Sequence, residues 1–397
     1  MTLAAGTRLG PYAIVIRFHL LLVVGLSACG GKAPPGIESV PAVSRSEVRH
    51  SLFLIGDGGK PKAGGDPVLQ ALSEEIQSAP GEATVVFLGD NIYSRGLPEA
   101  SSSKRTEMER RLKDQIDAVL RTNADGIVVP GNHDWDNSGG DGWNAVLRQG
   151  EFIAQHGDSG RVRLVPEAGC PGPSVIDVTD VVRVVALDTQ WWLHSNDKPG
   201  PGDCEPGTEA TVLDALRVAL SGDRIEIVVG HHPLVSSGPH GGYFTWQDHL
   251  FPLTRVVHGL WIPLPIIGSG YPLARLAGVS SQDMSGSRNE RMRAALEGVF
   301  AETPPLVFVG GHEHTLEVLE GEVVPYLLTS GAGYYGHTSP AKWRPQTLYQ
   351  NEASGFMRLD LLEDGRLRLG VIEVSADAAR SEHFSLYLEN DGAALPR

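Results

Sequence analysis

Short apolar runs recur along the chain from residue 51 onward, and each has the length and composition of a β-strand. Valine, isoleucine, leucine and phenylalanine dominate these runs, and polar residues rarely interrupt them. Such strands are typical of a sheet covered on both faces, because neither face carries the polar side chains that would meet water. The predicted strands comprise residues 52–55, 84–88, 126–129, 181–187, 225–229 and 306–309.

Amphipathic stretches lie between several of these strands, with apolar residues at the three- to four-residue spacing of a helix. The predicted helices comprise residues 67–78, 107–121, 208–220 and 291–300. Strands that alternate with helices favour an α/β domain. Later in the chain, residues 355–362 and 366–374 alternate apolar and polar positions around a Glu-Asp-Gly sequence, which predicts an antiparallel, half-exposed hairpin.

The first thirty residues differ from this pattern. Two arginines precede an apolar run over residues 18–26, and a Leu-Ser-Ala-Cys sequence ending at Cys29 follows it. A basic start, a short apolar core and small residues at the cut are typical of a secretory signal. Leu-Ser-Ala-Cys also resembles the lipobox of bacterial lipoproteins, in which the cysteine is lipidated. The alternative is an ordinary cleaved signal with an incidental cysteine.

We therefore expect residues 1–29 to be a lipoprotein-type signal, and Cys29 to carry a lipid anchor that holds the protein on a bacterial membrane. The protein would then be exported, and either periplasmic or on the cell surface. Cys170 and Cys204 lie in stretches rich in glycine and proline. Two such cysteines in an exported chain predict one disulfide. A zinc site is less compatible, because neither cysteine belongs to a Cys-x-x-Cys motif.

The chain is acidic, with a formal net charge of −15 at pH 7. A chain of this kind has no electrostatic attraction for nucleic acid, so no nucleic-acid binding is expected. It also repels anionic substrates. A site that handles phosphate would therefore need local positive charge, which bound metal ions supply.

A glycine follows five of the predicted strands, and aspartate, asparagine or histidine comes soon after each glycine. Ligand sites in α/β sheets lie at the carboxyl ends of the strands, so these five turns are expected to converge. Carboxylates, an amide and imidazoles form a mixed oxygen and nitrogen set that suits iron, zinc or manganese. The sequences are Gly56-Asp57-Gly58-Gly59, Gly89-Asp90-Asn91-Ile92-Tyr93, Pro130-Gly131-Asn132-His133-Asp134, Gly230-His231-His232-Pro233 and Gly310-Gly311-His312-Glu313-His314.

These motifs resemble those of the calcineurin-like metallophosphoesterases, and most closely those of the small, animal-type purple acid phosphatases. The resemblance covers about residues 50–335. It implies a four-layer αββα sandwich of two mixed β-sheets flanked by helices, and a site with two metal ions. Carried over position by position, Asp57, Tyr93 and His314 would hold the first metal, Asp90 would bridge both, and Asn132, His231 and His312 would hold the second.

One difference in the first motif separates the purple acid phosphatases from the other relatives. Most relatives begin the first motif with Asp-x-His, whose histidine binds the first metal, whereas this chain has Gly59 there. Purple acid phosphatases use instead the tyrosine of Gly-Asp-x-x-Tyr, which is Tyr93 here. A phenolate is a hard anionic donor, so Fe(III) is implied at the Tyr93 site, with Fe(II), Zn or Mn at the second.

The resemblance implies hydrolysis of phosphomonoesters, with small-molecule phosphate esters as substrates and a metal-activated water as the nucleophile. His133 would contact the phosphate or the leaving group, Asp134 would orient His133, and His240 would be a further substrate contact. His232 replaces a tyrosine of the animal-type enzymes, which leaves its role open. The alternatives are a phosphodiesterase or nucleotide-hydrolysing enzyme, and a catalytically silent surface binding protein.

The composition also predicts domain boundaries. Residues 30–48 are small, polar and proline-containing, which predicts a flexible tether. Residues 49–380 are interpreted as the catalytic domain, and residues 381–397 as a C-terminal tail. Within the domain, residues 242–300 are predicted to form a variable insertion or lid. Its segment 260–273 is apolar but rich in proline and glycine, so it is either a packed surface loop or an exposed patch near the active site.

Overall fold

The computed structural model describes residues 39–79, 81–255 and 259–389. The predicted signal, with the lipidation site Cys29, and the predicted tether as far as residue 38 lie outside this part of the chain. Among the described residues, no helix is long and apolar enough to cross a membrane.

The first of two seven-stranded sheets has the order β14-β13-β12-β1-β2-β3-β4. Strands β1 to β4 are parallel to one another, and β12 to β14 add an antiparallel half at one edge. The sheet is therefore mixed. Its strands are β1 (Val48–Ile55), β2 (Glu82–Phe87), β3 (Asp125–Val128), β4 (Val162–Leu164), β12 (Gly355–Leu362), β13 (Leu367–Val374) and β14 (Arg380–Leu388).

The second sheet has the order β11-β9-β10-β8-β7-β6-β5 and is also mixed. Strands β6, β7, β8 and β10 are parallel, whereas β5, β9 and β11 pair antiparallel with their neighbours. Its strands are β5 (Ser174–Asp177), β6 (Val182–Ala186), β7 (Ile225–Val229), β8 (Val307–Gly310), β9 (Leu316–Glu320), β10 (Tyr326–Ser330) and β11 (Thr347–Asn351).

Eight α-helices lie among the described residues, and four of them overlap the predicted ones. Helix α1 begins where the sequence predicts, because Pro67 occupies the first turn and the Asp66 carboxylate accepts a hydrogen bond from the Val68 amide. The helices are α1 (Pro67–Ser78), α2 (Arg105–Leu120), α3 (Gly142–His156), α4 (Thr189–Leu193), α5 (Glu209–Ala219), α6 (Trp246–Leu250), α7 (Gly270–Leu276) and α8 (Ser287–Glu302).

The alternation of side chains along strand β1 shows how the layers form. Leu52 and Leu54 point into the core between the two sheets, together with Ile227 of the second sheet. Phe53 and Ile55 belong to the outer core that the helices cover. Because both faces of this part of the strand are buried, apolar residues occupy every position from Leu52 to Ile55. The result is the predicted four-layer αββα sandwich.

Three features of the first sheet differ from the predictions. The hairpin of β12 and β13 is present, but its strands are almost entirely buried, because helix α1 packs against them. The predicted tail is wrong over residues 381–388, because they pair with β13 as strand β14. The predicted tether is already docked at Val40, whose amide donates to the Ser385 carbonyl.

The predicted variable region 242–300 is too long. Residues 287–300 belong to helix α8, whose Phe300 ring lies 6.1 Å from the Phe308 ring of strand β8 in the core. The segment 260–273 is exposed rather than packed, with Ile266 at 91% and Ile267 at 79% of full exposure. The predicted disulfide is present earlier in the chain, where it joins Cys170 and Cys204.

Candidate metal centre

The five predicted turns meet at the carboxyl ends of β1, β2, β3, β7 and β8. Three of the predicted ligands have a left-handed backbone, with φ of 60° at Asp57, 55° at Asp90 and 67° at His312. Non-glycine residues rarely adopt this conformation, and it concentrates at functional sites where the surrounding structure holds it in place. The turns therefore constrain the directions in which these three side chains project.

Glycines beside the ligands allow the loops to approach closely. A Cβ atom at Gly131 would lie 2.4 Å from Oδ1 of Asp90, and one at Gly311 would lie 2.5 Å from Oδ2 of Asp57. Since real Cβ atoms do not come this near, neither position accommodates a larger residue without moving a predicted ligand.

One group of donor atoms consists of Asn132, His231 and His312. Asn132 Oδ1 lies 3.0 Å from both His231 Nε2 and His312 Nδ1, and these two nitrogens are 3.2 Å apart. The other ring nitrogens face backbone carbonyls, at 2.8 Å from Leu88 for His231 and 2.9 Å from Gln282 for His312. Those carbonyls accept the ring N–H groups, which leaves lone pairs at His231 Nε2 and His312 Nδ1.

A second group consists of Asp57, Tyr93 and His314. The Tyr93 hydroxyl donates to Asp57 Oδ1 at 2.8 Å, and it lies 3.3 Å from His314 Nε2. His314 Nε2 is itself 3.4 Å from Asp57 Oδ1. Burial, followed by the charges of Asp57 and Asp90, raises the pKa of the Tyr93 phenol well above its ordinary value. A phenolate here would therefore require a cation beside it.

Asp90 lies between the two groups. Its Oδ1 accepts from the His133 amide at 2.8 Å and lies 3.4 Å from His231 Nε2. Asp57, Asp90 and His231 place ligand atoms within 4.8 Å of one another, and all three are buried. Lone pairs gathered this closely in a buried site repel one another unless a cation or protons separate them. The donor chemistry thus fits metal ions.

His232 also lies against this site, next to His231 and His312. Its Nδ1 is 2.8 Å from the Thr189 hydroxyl, and its Nε2 is 2.7 Å from Oε1 of Gln282. Burial, followed by the charge of His231, lowers the pKa of His232 to about 3, so the ring is neutral. Both nitrogens are occupied, which makes His232 a support for the site rather than a ligand.

His133 lies at the open side of the site. Its Nδ1 is 2.7 Å from the Ser94 carbonyl, and its Nε2 is 3.8 Å from Oδ2 of Asp90. Its ring also packs against Tyr93, with 4.5 Å between the ring centroids. The carbonyl accepts the Nδ1 proton, so Nε2 is the atom that faces the site.

The predicted contact between Asp134 and the His133 ring is wrong. The buried Asp134 carboxylate instead accepts from the amides of Gly131 at 2.8 Å and of Asn91 and Ile92 at 3.1 Å. It thereby joins the loop after β2 to the loop after β3. Asp134 shapes the site without facing the reacting groups.

His240 reaches the site as predicted. Its ring lies 3.9 Å from the His312 ring, and its Nδ1 is 3.0 Å from Oδ1 of Asp283. Glu313 anchors this loop, because its carboxylate accepts from the His240 amide at 2.9 Å and from the Ser236 hydroxyl at 2.7 Å. Glu313, the glutamate of Gly-His-Glu-His, thus positions the loop of Ser236 and His240, which is distant in sequence.

Two contacts of the site were not predicted. Gln282 comes from the insertion, where its carbonyl faces His312 and its amide group contacts His232. His337 follows strand β10, and its Nε2 lies 3.2 Å from His314 Nε2. Burial, followed by the charge of His314, lowers the pKa of His337 to about 2. Neither residue belongs to a motif, so the sequence pattern carries no signal for them.

A cavity of about 760 Å³ opens beside Tyr93. It lies on the same side of the site as His133, because Ser94, which bonds the His133 ring, forms part of its wall. Its lining includes basic and acidic side chains in equal number, namely Lys60, Arg95, Lys104 and Arg111 with Glu99, Glu107, Asp136 and Asp141. The cavity therefore offers charged groups of both signs to a ligand.

Comparison with known proteins assigns the family. The model of the family described as calcineurin-like phosphoesterase matches residues 50–316, which is more than half of the chain. The protein therefore belongs to the calcineurin-like phosphoesterases. No curated protein matches the chain.

Solved structures show the same fold at low sequence identity. GAP50, described as the anchor in the inner membrane complex of Plasmodium, has a TM-score of 0.51 and 17% identity, over 86% of this chain and 89% of that one. The purple acid phosphatase PPD1 from yellow lupin (Lupinus luteus) seeds has a TM-score of 0.52 and 15% identity, over 86% of this chain. This chain spans about half the length of the lupin enzyme, 54%.

Proposed function

We propose that this protein is an acid-phosphatase-like enzyme that hydrolyses phosphomonoesters at a dinuclear metal centre. The observation that carries the proposal is the pair of donor groups on either side of Asp90. Asn132, His231 and His312 form one group, and Asp57, Tyr93 and His314 form the other, with no predicted ligand position missing. Metal ions bound there would act as Lewis acids toward water and the phosphate group.

We assign Fe(III) to the Tyr93 group and Fe(II), Zn or Mn to the Asn132 group. The first group offers a carboxylate and a phenol, which suit a hard trivalent ion. The second offers two imidazoles and an amide, which suit a divalent ion of the first transition series.

The chain's own residues would bind and protonate the substrate. A protonated His133, with Nδ1–H on the Ser94 carbonyl, would present Nε2–H to the open side of the site, where it can donate to a phosphate oxygen or to the departing alkoxide. His240 lies against His312, and Asp283 and Glu313 hold it there. A substrate phosphate within reach of both imidazoles would receive a hydrogen bond from each ring that carries a proton on Nε2.

The cavity beside Tyr93 would accept the leaving group. Its cations and carboxylates would form hydrogen bonds with a polar alcohol. Its size also admits a nucleoside, which supports the second candidate function, hydrolysis of a phosphodiester or a nucleotide. A substrate panel separates the two by the ratio of monoester to diester turnover.

A binding protein without turnover is the competing class. GAP50 shares the fold, and its description is that of an anchor. The complete donor set of this chain favours an enzyme, since a protein released from catalysis has no need to keep seven metal-binding side chains together.

The test uses purified protein with its metal content measured. We expect hydrolysis of p-nitrophenyl phosphate to exceed hydrolysis of bis(p-nitrophenyl) phosphate. Asn132→Ala should lose metal and activity together, whereas His133→Ala should keep the metal and lose activity. A protein with two bound metal ions that hydrolyses no phosphoester would overturn the enzymatic proposal and favour the binding protein.

We also propose that the protein is exported and anchored through a lipid on Cys29. The disulfide between Cys170 and Cys204 supports export, because such bonds persist in oxidising compartments. Expression of the full chain in a bacterium with radiolabelled palmitate tests the anchor. Label in the wild type and none in Cys29→Ser is the expected result, and equal label in both would contradict it.

A further inference from the structure

His337 lies against the donor group of Asp57, Tyr93 and His314. Its Nε2 is 3.2 Å from His314 Nε2, and the two ring centroids are 3.7 Å apart. The ring also stands edge-on to Tyr93, at 5.3 Å between centroids. The Nε2 atom of His337 therefore lies beside one of the predicted ligand atoms, Nε2 of His314.

The spacing of these atoms matches that of ligands around one ion. A metal bound by nitrogen and oxygen at about 2.0–2.2 Å holds neighbouring ligand atoms about 3 Å apart. His314 Nε2 has three such neighbours, with Tyr93 Oη at 3.3 Å, Asp57 Oδ1 at 3.4 Å and His337 Nε2 at 3.2 Å. His337 Nε2 therefore meets this criterion with respect to His314 Nε2.

The local backbone leaves no room for a side chain at position 59. The metallophosphoesterases that the motifs resemble carry histidine where this chain has Gly59. Here a Cβ atom at Gly59 would lie 2.4 Å from the Asp90 carbonyl and 2.5 Å from the Ile92 amide nitrogen. Backbone fills that side of the site, so no side chain reaches the metal from position 59.

The loop after strand β10 holds His337 in place. The Tyr334 ring stacks on the His337 ring, with 4.5 Å between centroids and 10° between planes. The amide of Gly336, whose φ is 84°, donates to the Ser354 hydroxyl at 2.9 Å. A ring fixed by stacking and a tied loop is oriented before any ion binds, which favours binding.

We propose that His337 is a further ligand of the metal ion held by Asp57, Tyr93 and His314, and that it donates the lone pair of Nε2. This inference rests on the proposed metal centre. With the bridging Asp90, it raises the protein ligands of that ion to five. Fewer positions then remain for water and substrate than in a site without His337.

Cobalt binding tests the ligand without relying on activity. The full chain is freed of metal with a chelator and titrated with Co²⁺, while the d–d absorption and the number of bound ions are recorded. Wild type should bind two ions. Loss of an outer contact to a metal ligand commonly weakens binding about 10–100-fold, so His337→Ala should weaken one site by at least about tenfold and change its spectrum.

Two more variants separate a ligand from a packing residue. His337→Phe keeps an aromatic ring against Tyr334 but removes the nitrogen, so it should bind Co²⁺ as weakly as His337→Ala. His133→Ala removes another imidazole that packs on Tyr93, and it should leave both dissociation constants unchanged.

The outcomes distinguish the two proposals. If wild type binds two ions and both His337 variants bind them equally well, His337 is not a ligand. Normal binding by His337→Phe with weak binding by His337→Ala would also overturn the inference, because stacking alone would then matter. If wild type binds no Co²⁺, the metal centre itself is wrong.

Discussion

The hydroxyl of Tyr93 donates a 2.8 Å hydrogen bond to Oδ1 of Asp57, and both side chains are buried. These residues come from the ends of two adjacent parallel strands, β1 and β2. The contact brings a phenol and a carboxylate together at one point, and the first prediction depends on it.

Replacing Tyr93 with phenylalanine should abolish a visible absorption band. A phenolate bound to Fe(III) transfers charge to the metal, and the variant has no phenolate to do so. The matched control is Tyr334→Phe, whose ring lies 6.1 Å from that of Tyr93 and is not a predicted ligand. A colourless wild type containing only zinc or manganese would contradict the ferric assignment, while leaving phosphoesterase chemistry intact.

His133→Ala should lower kcat for a phosphomonoester by about 100-fold, because a positioned acid or base commonly contributes 10²–10⁴-fold. Metal content should stay at the wild-type level, since His133 Nδ1 bonds the Ser94 carbonyl and Nε2 faces the open side. His383→Ala, on the exposed part of strand β14, is the control. Loss of metal in His133→Ala would indicate that the residue is a ligand instead.

Asp134→Ala should destabilise the fold rather than the chemistry. Its carboxylate accepts hydrogen bonds from Gly131, Asn91 and Ile92 in a buried site. Leaving these donors unpaired should cost about 3 kcal/mol or more of unfolding free energy. Urea unfolding of the metal-free protein measures the loss. Unchanged stability together with a lower kcat would contradict this prediction and would indicate a catalytic role for Asp134.

Removal of the disulfide should also lower stability. Cys170 and Cys204 are 34 positions apart, and closing a loop of that length removes about 3–4 kcal/mol of entropy from the unfolded chain. The double variant Cys170→Ser, Cys204→Ser should unfold at lower urea concentration than the oxidised wild type. Equal midpoints with and without reductant would contradict this prediction.

Asp188 should make stability depend on pH. Burial raises the pKa of its carboxyl to about 8 in the folded protein, whereas an unfolded aspartate titrates near 4. The folded state therefore binds the extra proton between these values, and stability falls as pH rises from about 4 to about 8. Asp188→Asn removes this pH-dependent loss. The difference in free energy of unfolding between the variant and the wild type should therefore shift in favour of the variant as pH rises. Parallel curves for the two proteins would show that Asp188 does not titrate in this range.

Local sequence predicted much of the fold because the spacing of apolar residues distinguishes strands from helices. The buried parallel strands are apolar runs, and α1 is framed by a capping aspartate and a proline. Short or partly polar elements were missed. These elements depend on neighbours for their stability, and an isolated segment carries no record of those neighbours. They are strands β4, β5, β9, β10, β11 and β14 and helices α3, α4, α6 and α7.

The five motifs could also be recognised from the local sequence. Each ligand follows a glycine at the end of an apolar strand, and parallel strands bring their carboxyl ends to one edge of the sheet. The sequence alone therefore determined the class of protein and the seven predicted ligands, from Asp57 to His314.

Tertiary structure alone decided which residues support those ligands. Asp134 turned toward backbone amides instead of His133, and Gln282 and His337 reached the site from segments without a motif. Such contacts join residues far apart in the chain, and packing and backbone direction determine them. No local pattern encodes that geometry, because the same side chain in the same sequence context can face either way.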